Sequence, residues 1–453
     1  MMEMKALRPR LPLLAVAVTA LVLTERLFLL VNRYAVNIFF SDQWEFSAAT
    51  VFQSHTLWEI FTWQHGPHRQ GLGGVLAKLI EPHFQWDSRI ESFFIAGIFV
   101  VTGLLSIWLK QRLFGRLEYY DVVIPTLVLT ATQCEVLFGA ANLAHGSLPL
   151  LLVVVYCVCW TVQNPIYRFA ALLLVNFVLI FTGFGLLMGA ITPVAIVFSL
   201  WGAHATKREV LIHLSALAAA LLSLGIFFVH YTWNPAVDCY DSVLVSRSAA
   251  NYFHFASLMF ANYLGFDGLS SKHPEIWGGL FLLLLLGIFG ATVASISRSR
   301  KLLAGSNTVQ LVAFVLLAFS LLFCAATARG RLCLGFGAAQ ESRYMPYLTP
   351  AFLGAYFYLG FALPQRWMRQ AVLSACLVIC AYAGWPVHLG DQLEITGFHA
   401  VKLQWKTCYL ASKDIAVCNR QIGRRICNAP EAPNLKEKLN FLEKEHLNLF
   451  NGR

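Results

Sequence analysis

Two short polar segments that follow the first long apolar stretch contain side chains suited to acid–base chemistry. Asp42 and Glu45 lie in the first segment, and His65, His68 and Arg69 follow about twenty residues later. A carboxylate at the mouth of a membrane span can act as a general base on a hydroxyl. Imidazoles beside a guanidinium can bind a phosphate. Because polar groups next to a bilayer are costly unless they are used, we expect these segments to form an active-site loop.

These residues also admit other interpretations. Asp42 could cap the helix that follows it or face water, and Glu45, three residues later, could complete a capping box. Asp42, Glu45, His65 and His68 together carry atoms that bind metals, but their spacing matches no tight ligand motif. A divalent metal is therefore not favoured, and no cofactor is predicted.

A further polar pair, Gln133 and Glu135, falls near the end of an apolar run. These side chains could bind substrate, or they could be the hydrogen-bonding groups that hold two membrane helices together. Both are candidate substrate-binding residues, and the structural alternative stays open.

Arginines cluster in a later segment, where Arg329, Arg331 and Arg343 are interspersed with glycines and Tyr344 follows directly. Guanidinium forks bind phosphate in a bidentate manner, and glycine lets the backbone approach it closely. The bound phosphate could belong to a substrate or to lipid headgroups. We expect this cluster to face the Asp42 segment.

The composition is that of a membrane protein. The chain of 453 residues is 58% hydrophobic and only 13% charged, and its apolar runs are long enough to cross a hydrocarbon core of about 30 Å. The net charge of +10 comes from Lys and Arg at the ends of these runs, which indicates topology rather than nucleic-acid binding. We predict an all-α polytopic membrane protein with about 11 transmembrane helices.

The predicted organisation has two parts. Residues 1–386 form the transmembrane region, and residues 387–453 form a small external C-terminal segment that is helical near its end. Interfacial helices are expected at Ala48–Thr62 and at Tyr252–Phe266, and one continuous span, the third, is expected at Val122–Ala140. The predicted external loops cover residues 40–91, 232–276 and 329–344.

Three cysteines of the C-terminal segment, Cys408, Cys418 and Cys427, are spaced so that a disulfide could close between two of them if the segment lies outside the cytoplasm. The sequence does not select a pair.

Four short motifs, in this order, resemble those of the GT-C class of polytopic glycosyltransferases, especially bacterial O-antigen glucosyltransferases. The resemblance spans most of the membrane region. The motifs are Asp42-Gln43-Trp44-Glu45, His65-Gly66-Pro67-His68-Arg69, Gln133-Cys134-Glu135 with Gly139, and Ser342-Arg343-Tyr344.

This resemblance implies a GT-C-like fold and transfer of a sugar from a polyprenyl-phosphate carrier to a hydroxyl of a lipid-linked glycan or other acceptor. Asp42 would be the base, and Arg343, with Arg329 or Arg331, would neutralise the departing lipid phosphate, assisted by His68 and Arg69. Inversion at the anomeric carbon would follow. The implied location is a bacterial inner membrane with a periplasmic active site that serves lipopolysaccharide and the cell envelope.

One motif departs from the family pattern. Gly66-Pro67 stands where a polar pair that includes a carboxylate is common, so we assign no second acidic role there.

Two other functions fit parts of the pattern. A transporter or flippase of lipid-linked saccharides would be expected to place its charges near the middle of the membrane, whereas these candidate groups cluster outside it. A polysaccharide ligase or assembly protein would also use external basic residues to hold a lipid phosphate.

Overall fold

The computed structural model describes residues 10–200, 206–233, 247–266, 270–298, 306–424, 426 and 434–451, and most of these are helical. Strands occur in this part of the chain only as a short hairpin, β1 (Gln64–His65) and β2 (His68–Arg69). In chain order the helices are α1 (Arg10–Tyr34), α2 (Gln43–Ser47), α3 (Leu57–Thr62), α4 (Gly71–Ile80), α5 (Ser88–Phe114), α6 (Val123–Val128), α7 (Cys134–Phe138), α8 (Ser147–Cys159), α9 (Pro165–Ile180), α10 (Leu187–Leu200), α11 (Lys207–Phe228), α12 (Ala249–Tyr263), α13 (Pro274–Arg298), α14 (Ser306–Arg331), α15 (Met345–Ala362), α16 (Arg366–Gly384), α17 (Leu389–Ser412), α18 (Ile415–Ile422) and α19 (Leu435–Lys444).

The described residues contain seven helices long and apolar enough to cross a membrane. The expectation of an all-helical membrane protein is therefore confirmed at this level, and the count of eleven spans stays a prediction. The centre of the molecule is α15, in which every residue from Met345 to Tyr358 is buried. It packs along α14 and also contacts α8. A helix that is enclosed by others can be apolar on every face.

The predicted third span is not one continuous helix. The expected range Val122–Ala140 is divided into α6 and α7, and residues 129–133 between them are not helical. Gln133 explains why this break is tolerated, because its buried amide nitrogen donates to the carbonyls of Val128 and Thr130 at 3.1 and 3.2 Å. Backbone groups freed inside a membrane protein must find such partners.

Neither predicted interfacial helix has the expected form. The range 48–62 is interrupted after a short π-helical turn, Ala48–Phe52, and α3 begins anew at a capping box formed by Thr56 and Glu59. The helix expected at Tyr252–Phe266 is α12, in which all residues from Phe255 to Ala261 are buried. An interfacial helix keeps one polar face in water, so α12 is instead an internal helix, packed along α13.

The C-terminal segment shares a hydrophobic core with the first loop. Trp405 of α17 and Leu439 of α19 belong to the same buried cluster as Phe39, Trp44 and Trp86. Asn448 connects the two segments. Its side chain and backbone form hydrogen bonds with five residues, namely Asn37, Phe39, Gln85, Trp86 and Ser88.

A disulfide joins two of the three candidate cysteines of this segment, Cys408 and Cys418. Cys427 lies outside the described residues. The bond ties the end of α17 to α18.

Arg26, inside the long apolar helix α1, bonds to the ends of two other helices. Its guanidinium donates to the carbonyls of Leu129 and Gly384 at 3.2 and 3.1 Å, and also to the carbonyl of Trp385. The last carbonyls of a helix have no intrahelical partner. Arg26 therefore stabilises the places where α6 and α16 end.

We predict that Arg26→Leu destabilises the protein, because the part-buried carbonyls of Leu129 and Gly384 lose their donor and an unsatisfied buried group costs roughly 1–3 kcal/mol. Thermal unfolding in detergent should show a midpoint lower by several degrees. Arg33→Leu is the matched control, since Arg33 is exposed on the same helix and lies over the ring of Tyr34. Equal midpoints for the two variants would contradict this role.

Candidate functional site

The hairpin between β1 and β2 aims two imidazoles into one cavity. His65 and His68 are directly paired across the strands, and paired residues project from the same face. The two residues of the turn are Gly66 and Pro67, and Gly66 has a positive φ of 55°. A positive φ at the first turn position, followed by the fixed φ of proline, is the pattern of a type II′ turn. The Gly66-Pro67 pair thus sets the hairpin geometry.

Arg69 projects from the opposite face of this hairpin, because successive strand residues alternate. Its buried guanidinium donates to the carbonyls of Phe227 and Val229 at 3.1 and 2.7 Å and to the carbonyl of Thr62. These carbonyls lie at the C-terminal ends of α11 and α3. Arg69 therefore lies away from the cavity and holds two helix ends together.

The cavity brings together segments that are far apart in sequence. Including its open mouth, it encloses about 820 Å³. Asp42 and six other predicted site residues line the cavity: His65, His68, Glu135, Arg331, Arg343 and Tyr344. The other described residues of its wall are Phe46, Gly66, Pro67, Val136, Ala140, Asn142, His145, Gly146, Phe184 and Tyr347.

Asp42 reaches the cavity from a constrained turn. The preceding residue, Ser41, has a positive φ of 54°, which is uncommon for a residue other than glycine, and its backbone N–H donates to the carbonyl of Ile426 at 2.7 Å. Two positions later, Trp44 is fully buried with its ring edge-on to Phe39. Asp42 is thus fixed on both sides by buried contacts.

Arg343 lies between two carboxylates. It pairs with Glu341, and its Nη1 atom is 3.5 Å from Oε1 of Glu135. The backbone N–H of Glu135 donates to the Ser342 hydroxyl at 2.8 Å, and that hydroxyl donates to Glu394 of α17 at 2.9 Å. Burial raises the pKa of Glu135, Arg343 lowers it, and the nearby Glu341 and Asp42 raise it, so the net pKa lies above the ordinary value.

Two imidazoles of the cavity, those of His68 and His145, are held in the neutral form. Burial, together with His65 and Arg331, lowers the pKa of His68 to about 3. Burial and the neighbouring His68 and His65 likewise lower the pKa of His145 well below its usual range. The His68 ring lies edge-on to both His145 and Phe184, with ring centres 5.4 and 4.3 Å apart. At neutral pH these rings can donate or accept a hydrogen bond, but they add no charge.

A second, larger cavity adjoins the first. It encloses about 1180 Å³ including its mouth, and His68, Phe184 and Arg331 belong to the walls of both cavities. Three arginines on its wall face apolar and aromatic side chains, so the space suits a molecule with an anionic head and an apolar tail. The three arginines are Arg247, Arg329 and the shared Arg331, and the apolar and aromatic residues include Leu186, Leu187, Tyr231, Trp233 and Tyr252.

Three of the predicted site residues lie outside both cavities. Arg69 and Gln133 bond to backbone carbonyls, as described above. Glu45 is half exposed, and its Oε2 atom is 3.1 Å from Nδ1 of His65, so it can orient that ring from outside. Arg329 belongs to the last turn of α14 rather than to a loop, and it lines the second cavity.

Sequence reasoning missed three polar residues of the first cavity, Asn142, His145 and Tyr347. The backbone N–H of Gly146 donates to the Tyr347 hydroxyl at 2.9 Å, which fixes the loop that carries His145. The sequence signal that could have identified His145 was a histidine followed by a glycine between two apolar runs. Tyr347 gave none, because it lies within the apolar helix α15.

Metal ligands do not cluster in the part of the chain that the structure describes, where no group of three or more His, Cys, Asp and Glu side chains could hold a metal ion. The polar groups of the cavity can act directly as a base, as hydrogen-bonding groups and as cations.

Comparison of the chain with family models, with curated proteins and with solved structures gave no match in any of the three.

Proposed function

We propose that this protein is a membrane glycosyltransferase that moves a sugar from a polyprenyl-phosphate donor to a hydroxyl of a glycan acceptor at the outer face of the membrane. The observation that carries the proposal is the joint cavity, in which Asp42 and Arg343, about 300 residues apart in sequence, line one space together with Glu135 and Arg331. A carboxylate base opposite arginines is what this transfer needs.

The reaction begins at the acceptor hydroxyl. Its oxygen attacks the anomeric carbon of the donor sugar while its proton passes to the Asp42 carboxylate. The bond between the anomeric carbon and the phosphate oxygen breaks, and its electron pair leaves with the lipid phosphate. Attack opposite to the leaving group inverts the anomeric configuration.

The leaving phosphate gains charge, which the arginines offset. Arg331 belongs to the walls of both cavities, and Arg329 and Arg247 line the second one, where apolar walls suit the polyprenyl chain. Stabilising charge that develops in the transition state is usually a large catalytic effect. Arg343, held by Glu135 and Glu341, would position the sugar phosphate from the other side.

The imidazoles have a different role in this scheme. His65, His68 and His145 surround Phe46 and Phe184 in the first cavity. The neutral rings of His68 and His145 lie beside aromatic faces and can hydrogen-bond sugar hydroxyls without competing for the phosphate.

We predict that Asp42→Asn and Arg343→Ala both abolish most sugar transfer by purified protein in nanodiscs, assayed with a panel of polyprenyl-phosphate sugars and glycan acceptors. Loss of a general base typically costs about 10²–10⁴-fold, and loss of a charge-stabilising group costs about 10²–10³-fold. Glu437→Gln, an exposed carboxylate of α19, is the control and should keep full activity.

Two results would decide against this assignment. Full activity of folded Asp42→Asn would remove Asp42 from the mechanism. No transfer from any donor, together with movement of lipid-linked saccharide across a bilayer, would favour a flippase.

A second prediction concerns pH. Because the pKa of His68 is lowered to about 3, the ring is already neutral above that pH, and its protonation cannot shape the rate profile near neutrality. His68→Gln should lower the rate about fivefold through a lost hydrogen bond and leave the acid limb of the profile where it is in wild type. His83→Gln, on an exposed histidine, should change neither. An acid limb that moves only in His68→Gln would show that His68 works as a cation.

A further inference from the structure

A third cavity lies at the opposite end of the helix bundle from the candidate site. Lys110, on its wall, is 22 residues beyond Ser88, the first residue of α5, which corresponds to about 33 Å along a helix. The start of α5 adjoins the site, since Glu91 accepts hydrogen bonds from Gln43 and Leu143. The third cavity is therefore separated from the site by roughly the thickness of a bilayer.

This cavity is cationic and partly apolar. It encloses about 660 Å³ including its mouth, and three basic side chains, Lys110, Arg116 and Arg369, line it beside a single carboxylate, Glu118. Its apolar wall includes Phe114 and Leu373.

Two of the three cations are already neutralised. Nζ of Lys110 is 3.1 Å from the buried carboxylate of Asp121, which also accepts a hydrogen bond from Tyr356 at 2.7 Å. Arg116 pairs with Glu118 at 3.0 Å. Arg369 differs, because among the described residues its guanidinium has no hydrogen-bond or ion-pair partner.

The position of Arg369 makes its charge unfavourable without a ligand. It lies in the first turn of α16, where the helix dipole is positive and a cation is destabilised. An anion bound in the cavity would be attracted by Arg369 and would offset the unfavourable position of its charge.

Exposed aromatic residues place this cavity at headgroup depth. Trp108, Tyr119 and Trp367 are 41%, 52% and 67% exposed on α5, the turn before α6, and α16, the elements around the cavity. Exposed Trp and Tyr concentrate at membrane–water interfaces. Basic pockets between membrane helices at this depth bind anionic lipid headgroups.

We propose that the cavity formed by the end of α5, the end of α15 and the start of α16 binds the phosphate of an anionic phospholipid, with Arg369 as its principal cation. The acyl chains would lie along the exposed apolar helices beside it. This site is independent of the proposed sugar transfer and lies at the opposite membrane face.

Native mass spectrometry of the full chain tests the proposal, with phosphatidylglycerol compared with phosphatidylcholine as probes. We expect retention of phosphatidylglycerol, and about tenfold weaker binding in Arg369→Gln, since a charge-assisted hydrogen bond contributes about 1.5 kcal/mol or more. Arg366→Gln is the matched control. It lies in the same helical turn, is exposed and is not part of the cavity wall, so binding should be unchanged.

A second variant blocks the cavity without removing charge. A Cβ added at Gly360 would lie at ordinary contact distance from the Phe114 ring, 3.7 Å, so Gly360→Leu should fold and fill the space. It should also weaken phosphatidylglycerol binding. Unchanged binding in both Arg369→Gln and Gly360→Leu, or equal retention of the two lipids, would overturn the proposal. Displacement of the lipid by millimolar inorganic phosphate would assign the site to a soluble anion instead.

Discussion

The structure depends on supplying hydrogen-bond donors to helix ends that lie inside the protein. A broken helix in a membrane leaves carbonyls without water or an intrahelical partner. Four long polar side chains meet this need: Arg26 at the ends of α6 and α16, Gln133 at the end of α6, Arg69 at the ends of α3 and α11, and Lys402, whose ammonium donates to the carbonyls of Phe138 and Gly139 at 2.9 and 2.8 Å. The short helices and turns between these ends form the walls of the first cavity. The cavity can therefore exist because the carbonyls freed at the helix breaks accept hydrogen bonds from these four side chains.

This constraint also explains which expectations from the sequence were right. Long apolar runs such as α1, α5 and α15 were predictable, because hydropathy and length decide them. The break in the third span was not, since it depends on the amide of Gln133 reaching carbonyls of the preceding helix. The burial of α12 was equally hidden, because an aromatic-rich stretch looks alike at an interface and in a core. In both cases a tertiary contact overrides the local pattern.

In the candidate site, too, some residues could be predicted from the sequence, whereas the positions of others depend on the folded structure. Asp42, Glu135, Arg331 and Arg343 were identifiable as polar residues at the ends of apolar runs, and they line one cavity. Arg69 is one residue from His68 in sequence, yet strand alternation turns it to the other face, and only the hairpin geometry reveals this. The carboxylates and arginines that line the cavity are therefore the groups available for the proposed sugar transfer, whereas Arg69 holds helix ends together.

The buried contact of Asn448 with Asn37 and Ser88 restricts how many times the chain can cross a bilayer. Residues that touch in this way lie on one side of the membrane, so the chain must cross it an even number of times between the end of α1 and residue 448. If α1, which is long and apolar enough to span a membrane, crosses it once, the number of crossings from the start of α1 to residue 448 is odd. The start of α1 and the contact at residue 448 then lie on opposite sides of the membrane.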